Sequence, residues 1–452
     1  MDSVPKLLTP SRPQLAAVCL LLLPGLCLLA GGCATGPVVA REMLADPTMR
    51  FSESRPIEPL GLSDPQADEP LPPDTVMTRL HVHADTGEQV KGTWLEYLIR
   101  AAIEIGGGFG VEAGYGLSHQ DQLVQKLDGF AGPLGVVATR HGPDAALVLD
   151  DGTSIIRAGY RFRMAWNGHL HEPSIRARTS VLSRDTVVEV GYRRSMRSLT
   201  IDSEHLPAGD ALDDDYSVDR LFAAIEQGFL PGWNLRLDLA MRVDSGFLQS
   251  PYRLVSLWSQ HGGDTVPSGV PRTMPENHPG SRVRWGSMLR IRRMIESLAA
   301  AVELGLGYGA GSWRVEHSML QAGWLQRLGD QFVLSAQGGA YHQTRASFYL
   351  DDYGSGPRGA YWSADASLSS YIAWWAQIGC SWTAFPERGR LLGMFKYLSV
   401  EAALRTSRAY YQWEGSGSNN GFTSYAWLAS DERQPFGGGW LFGGWLGFEG
   451  GF

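Results

Sequence analysis

"IIRAGYRFRMAW", residues 155–166, alternates without a break. Ile156, Ala158, Tyr160, Phe162, Met164 and Trp166 share one parity, and Arg157, Arg161 and Arg163 share the other. Successive side chains of a strand point to opposite faces, so this is a strand with one apolar and one cationic face. The pattern recurs in "WNLRLDLAMRV" (233–243), where Trp233, Leu235, Leu237, Leu239, Met241 and Val243 oppose Arg236, Asp238 and Arg242. In "LAAAVELGLGY" (298–308), Leu298, Val302, Leu304, Leu306 and Tyr308 oppose Glu303 and glycines. "TVVEVGYRR" (186–194) and "KYLSVEAAL" (396–404) behave similarly. Between these segments the connectors alternate between short ones and long polar ones, such as 204–217, 255–281 and 406–437.

Two architectures use such strands, a soluble sandwich and a transmembrane barrel. The segments have the length that a tilted strand needs to cross a bilayer. Trp166, Trp233 and Trp285 sit near segment ends, where interfacial girdles want them. The chain closes on "WLFGGWLGFEGGF", with Trp440, Phe442, Leu446, Phe448 and Phe452 on one parity. A last strand ending on phenylalanine resembles the signal read by the outer-membrane barrel assembly machinery, with Phe448 and Phe452 as its carriers. The expected fold is all-β, an antiparallel transmembrane β-barrel of roughly twelve strands over 91–452, an even number being the rule. "TWLEYLIRAAIE" (93–104) reads either as a short helix or as the first strand. A soluble lipoprotein sandwich is the structural alternative.

The N-terminus reads as an address. Lys6 and Arg12 precede an apolar run, Leu15 to Ala30, of 16 residues, which suits a secretory signal and is short for a membrane-spanning helix. Ala30-Gly31-Gly32-Cys33 resembles the lipobox of bacterial lipoproteins, although leucine is usual where Ala30 stands. That resemblance implies cleavage after residue 32 and a diacylglycerol on Cys33. Cys19 and Cys27 would leave with the signal, so only Cys380 remains, too few for a disulfide framework or a cysteine-based metal site. Residues 34–75 carry eight prolines and eight acidic residues, a composition that builds no core. Residues 33–90 are therefore expected to be a lipid-anchored, disordered tether. The expected place is the outer membrane of a Gram-negative-type bacterium, with the lipid anchor on the periplasmic side. A formal charge of −8 gives no reason to propose nucleic acid.

Two stretches resemble known families. "REMLADPTM" (41–49) is similar to the small lipoproteins of the domain-of-unknown-function family 4266, through Arg41, Leu44, Ala45, Pro47 and Met49. The tryptophan that usually precedes the arginine and the glycine-cysteine-rich tail are missing. "GFLQSPYRLV" (246–255), "PENHPGSRVR" (275–284), "YGAGSWRVEHS" (308–318) and "QTRASFY" (343–349) resemble the domain-of-unknown-function family 3570, outer-membrane barrels. The chain would then be a fusion of two components usually encoded side by side. Family neighbourhoods imply partners, a periplasmic flavoprotein or thioredoxin-like protein, and so a barrel serving as scaffold or conduit for an extracytoplasmic redox system.

The residues themselves suggest no enzyme and no cofactor. Nucleophile elbow, phosphate-binding loop and haem-attachment motif are all missing. His81-Val-His83 and His169-Leu-His171-Glu172 each put two imidazoles on one strand face, a half-site for zinc or copper, but solvated histidines explain them better. Asp210, Asp213, Asp214 and Asp215 fit a solvated loop better than a calcium site. "PENHP" (275–279) is a loop stiffened by two prolines, suited to a constriction, a rigid binding loop or a structural turn. The arginines say more. With the apolar parity facing lipid, Arg157, Arg161, Arg163, Arg176, Arg178, Arg193, Arg236, Arg242, Arg284, Arg290, Arg292 and Arg405 face a lumen, against Glu189, Asp238, Glu303 and Glu401. Such an interior either concentrates anions as a passive channel or pairs with carboxylates of a plug, for which the acidic tether at 53–74 is the candidate.

Overall fold

The computed structural model describes residues 75–87, 90–124, 134–165, 168–181, 186–201, 212–248, 254–256, 273–329, 331–350, 359–363, 368–384, 397–411 and 440–451. Its strands are β1 (Thr75–Gly87), β2 (Val90–Gly106), β3 (Phe109–Val124), β4 (Leu134–Asp150), β5 (Ser154–Ala165), β6 (Gly168–Val181), β7 (Thr186–Ile201), β8 (Leu212–Leu230) and β9 (Trp233–Gly246). There follow the short β10 (Leu254–Ser256) and β11 (Thr273–Pro275), then β12 (Ser281–Ile295), β13 (Ala300–Gly311), β14 (Glu316–Leu328), β15 (Phe332–Gln343), β16 (Tyr371–Ala384), β17 (Tyr397–Tyr411) and β18 (Trp440–Gly451). Among the described residues, sixteen strands close into one antiparallel barrel. Each pairs with its neighbour in sequence, except that β9 pairs with β12 across the β10–β11 hairpin and β18 pairs with β1.

The number is sixteen rather than about twelve. The barrel also begins at Thr75, inside the span expected to be tether. "HVHADTG" contributes to β1 although its alternation is weak, because both its neighbours, β2 and β18, complete its ladder. "TWLEYLIRAAIE" lies in β2, the second strand. Asp213–Asp215 are not in a loop: they open β8, opposite Ser198–Thr200.

The barrel has two unlike ends. Five turns at one end are two to four residues long, at 107–108, 151–153, 231–232, 296–299 and 329–331. Thr75 stands opposite Ala102, and Met77 opposite Gly451, so both ends of the barrel chain lie at this short-turn end. Five long connectors, 125–133, 202–211, 247–280, 344–370 and 412–439, leave from the other end; 385–396, between β16 and β17, is a long connector at the short-turn end. In the 151–153 turn the Asp151 carboxylate accepts the N–H groups of Thr153 and Ser154, which hold it below the usual carboxylate range. The 107–108 turn depends on glycine. Gly108 has φ +78°, and a Cβ there would stand 2.0 Å from the Asp150 carbonyl oxygen. Gly108→Ala is expected to cost about 1–3 kcal/mol, seen as an earlier midpoint in equilibrium unfolding of the folded protein.

The two faces sort by burial. On β5, Ile156, Tyr160 and Met164 are exposed while Arg157 is buried; on β13, Leu304 and Leu306 are exposed while Glu303 is buried. In a closed barrel inward side chains converge and cover one another, so the charged parity faces in and the apolar parity faces out. The apolar face is banded. Phe229 and Trp233 meet near the short-turn end, 6.2 Å between ring centroids. Trp285 packs edge-on against Tyr308 higher up, at 5.7 Å. Trp285 lies eight positions along β12 from Arg293, the register partner of Trp233. At ~3.4 Å per residue and a tilt of ~40°, the two belts stand about 21 Å apart. That is close to the ~25 Å apolar band of a membrane barrel.

Candidate functional site

Width comes first. With ~4.8 Å between strands and a ~40° tilt, sixteen strands close at a backbone diameter of about 32 Å. Barrels of eight strands are filled by their own side chains; at sixteen they leave an aqueous channel. The inner wall is therefore the surface that meets whatever occupies the lumen.

From β2 to β13 that wall carries a succession of ion-pair clusters. Glu112 on β3 takes Arg100 of β2 at 2.5 Å and Arg157 of β5 at 3.0 Å, and all three are buried. Asp144 holds Arg163 at 2.6 Å and Arg161 at 3.4 Å. Arg161 also reaches Glu172 at 3.0 Å, which Arg193 approaches at 3.7 Å. Arg176 pairs with Glu189 at 2.8 Å. Arg236 sits among three carboxylates, Asp238 at 2.8 Å, Glu226 at 3.2 Å and Glu189 at 3.8 Å. Asp244 joins Arg242 at 2.6 Å to Arg284 at 2.9 Å, and also accepts the Tyr216 hydroxyl. Arg290 reaches Asp238 at 3.5 Å, and Arg292 reaches Glu303 at 2.9 Å. Arg178 stands opposite Glu189 in the register.

The expected inner arginines whose side chains are described thus share one face, but that face is not basic in the proportion expected. Glu112, Asp144, Glu172, Glu226 and Asp244 join Asp238, Glu189 and Glu303 on it. Arg100, Arg140, Arg197 and Arg220 add further guanidiniums on the same parity. Period two could have found Glu172, two residues before Ser174 and Arg176 on the same parity. Asp144 was out of reach because β4 carries Gly142 and Pro143, which blur the alternation, and Glu112 because its neighbours on the same parity of β3 are Gly110 and Gly114. At Pro143 the β4–β5 register lapses, and Arg163 fills the gap by donating to the Gly142 carbonyl at 2.9 Å.

From β13 to β16 the wall changes character. Gly305, Gly307 and Gly309 leave β13 bare on its inner side, and side chains of β12 and β14 lie over it. A Cβ at Gly309 would stand 2.3 Å from His317 Nε2. Met288, Met319, Tyr341 and Ala373 form an apolar cluster here. Beside it are Gln321, Trp375 and Gln377, all buried. His317 Nε2 and both polar side-chain atoms of Gln377 have no hydrogen-bond partner, a cost that a wall of this kind carries against its tight cover.

The remaining sequence candidates are placed as follows. His169 and His171 do not converge on a metal: His169 Nδ1 bonds the Ser198 hydroxyl at 2.8 Å and His171 Nδ1 the Tyr160 hydroxyl at 2.5 Å, on the outer face. The "PENHP" loop is held rigidly above the long-loop end. Asn277 bridges to Trp362, Glu276 accepts the Ser363 hydroxyl at 2.8 Å, and His278 stands edge-on to Trp313 at 5.4 Å. Trp313, Val315, Ala346, Tyr349 and Leu368 form the apolar knot beneath it. Phe448 lies in β18, opposite Leu80 and Val400, with its side chain outside the described set. Cys33, Trp166, Phe452, the acidic stretch 53–74, and the side chains of His81, His83, Glu401 and Arg405 also lie outside the described residues.

A family model described as "Protein of unknown function (DUF3570)" matches residues 179–416. The motif at 41–49 lies outside that match. No curated protein matches the chain. Solved structures similar to it include a bacterial polysaccharide outer membrane secretin, 8% identical with a TM-score of 0.46 over 84% of this chain and 98% of that one. OccD3 (OpdP) of Pseudomonas aeruginosa is 8% identical, with a TM-score of 0.42 over 86% and 96%. The outer membrane protein opdK of the same organism is 9% identical, with a TM-score of 0.41 over 84% and 98%.

Proposed function

The chain belongs to the family described as protein of unknown function DUF3570, and from that premise we propose that it is a porin-like barrel of the outer membrane that passes small hydrophilic solutes. The observation that carries this reading is sixteen-strand closure around a charged wall. A barrel this wide with an apolar exterior belongs in a bilayer. An open-ended sheet of charges belongs against water, since charges on the lipid side would each cost ~2–4 kcal/mol at mid-bilayer. Because most of the inner arginines are paired with carboxylates, selectivity is set by the local balance along the wall as well as by the arginine excess.

The short-turn end supports a periplasmic orientation for the termini. Residues 1–74 join the barrel there, on the side where a lipid on Cys33 would enter the inner leaflet. Intact mass of the membrane-extracted protein tests this: a mature chain starting at Cys33 with a diacylglycerol adduct is expected, and Cys33→Ser abolishes the adduct.

Planar-bilayer recording of the purified, folded full chain tests the conduit. A steady conductance is expected. Arg236→Ser strips one cation from three carboxylates, so the reversal potential in a salt gradient should move toward cation selectivity. Silence from demonstrably folded barrels would overturn the conduit and favour the scaffold role beside a redox system that the family resemblance implies.

A further inference from the structure

At the long-loop end of the charged wall lies a cavity of about 220 Å³. The hairpin of β5 and β6 is short, turning between Ala165 and Gly168, while β7 runs on to Ile201 and β8 starts at Leu212. Two long strands therefore overhang a short hairpin, and the cavity is the step between them. Arg140, Arg163, Arg197 and Arg220 line it, from four different strands, with Glu172 as the one carboxylate.

Glu172 does not neutralise the group. It is engaged from outside the cavity by Arg161 at 3.0 Å and Arg193 at 3.7 Å, and it accepts the Ser195 hydroxyl at 2.7 Å. Asp144, also outside the lining, holds Arg163. Arg197 and Arg220 make further contacts of their own. Arg163 is taken up by Asp144 and by the carbonyls of Gly142, Pro143 and Phe162, so the formal excess in the lining is carried by Arg140, Arg197 and Arg220 against Glu172, in a recess whose other lining includes Val218, Leu170 and Ala165. Several arginines lining a partly apolar recess suit an anion with two or more acceptor oxygens, which planar guanidinium donor forks engage in pairs. At ~30 Å³ per water, 220 Å³ holds about seven waters, room for an oxyanion of several heavy atoms.

We propose that this cavity is a binding site for a small soluble oxyanion of the phosphate or carboxylate class, sited at the mouth of the lumen. Arg163, Arg197 and Arg220 belong to the inward parity, so the ligand arrives from the aqueous side rather than from the bilayer. The inference deepens the conduit reading and rests on it only for the direction of traffic.

The test is calorimetric titration of the folded full chain with inorganic phosphate, which needs no open pore. Saturable, salt-sensitive binding is expected, weakened by at least about tenfold in the Arg197→Ser/Arg220→Ser double variant. Arg194→Ser, on the outer face beside Asp219, serves as the control and should leave binding unchanged. Unfolding midpoints of all three proteins show that each is folded. Absence of binding to the folded parent, or equal binding by the double variant, would overturn the site. Repeating the titration in phosphatidylcholine vesicles with and without phosphatidylglycerol separates the sources: phosphate binding lost only with the anionic lipid would mean that a headgroup takes the cavity, which overturns a soluble ligand. A barrel that binds phosphate without conducting sinks the conduit alone; one that conducts without binding sinks the site alone.

Discussion

Glu112→Ala is expected to lower the unfolding free energy of the barrel by about 3–5 kcal/mol, read from guanidinium titrations of the protein in lipid vesicles. Its carboxylate is shared by Arg100 at 2.5 Å and Arg157 at 3.0 Å, and all three side chains are less than a tenth exposed. Removing the anion leaves two buried guanidiniums without the carboxylate they share. The penalty is mostly the stranded charge, not the lost attraction. Converting the whole group, Arg100→Met with Glu112→Leu and Arg157→Met, should therefore recover most of the loss, since buried ionic groups replaced together by apolar ones are often neutral or better. A triple variant as unstable as the single one would show that the ion pairs themselves hold β2, β3 and β5 together.

Leu304→Arg is expected to cost about 2–4 kcal/mol in the same assay. Leu304 is 55% exposed, and its neighbour Glu303 is buried on the opposite face. On the surface of a soluble protein such a change falls within about 0.5 kcal/mol. The size of the loss therefore measures whether lipid or water lies against β13. A shift below that threshold would return the chain to a soluble, water-exposed architecture.

Much of this was legible from period two alone. "IIRAGYRFRMAW" and "WNLRLDLAMRV" gave strands, faces and inward arginines because each keeps large apolar residues on one parity and charge on the other. Elsewhere the signal fades for physical reasons. In β2, Leu98 and Ala102 stand on the same parity as Arg100; apolar side chains on both faces imitate a helix. In β4, Gly142 and Pro143 interrupt the ladder, so neither the strand nor Asp144 stood out. β1 is short of apolar residues, so its sequence merges with the proline-rich segment before it. The missing strands and the missing carboxylates are thus one omission. Partners across a ladder are set by register, and register depends on turns and on closure that a local pattern does not contain. The cavity beside the β5–β6 hairpin was invisible for the same reason, since it is made by a difference in strand lengths.

Closure has a kinetic side. Fourteen of the barrel's sixteen pairings join neighbours across a turn or a loop, and one more, β9 with β12, skips only a small hairpin. The last joins Met77 to Gly451, a separation of 374 residues. A chain wired this way grows as a sheet by local steps, cheap in loop entropy, and keeps two unsatisfied margins, β1 and β18, until its final step. Those margins display open backbone donors and acceptors to any neighbour. The interval before they meet is when the nascent protein is most exposed to pairing with another copy of itself. The order of events is therefore dictated by the wiring: hairpins first, seam last, with the two ends of the chain needing to be held apart from strangers and brought to each other.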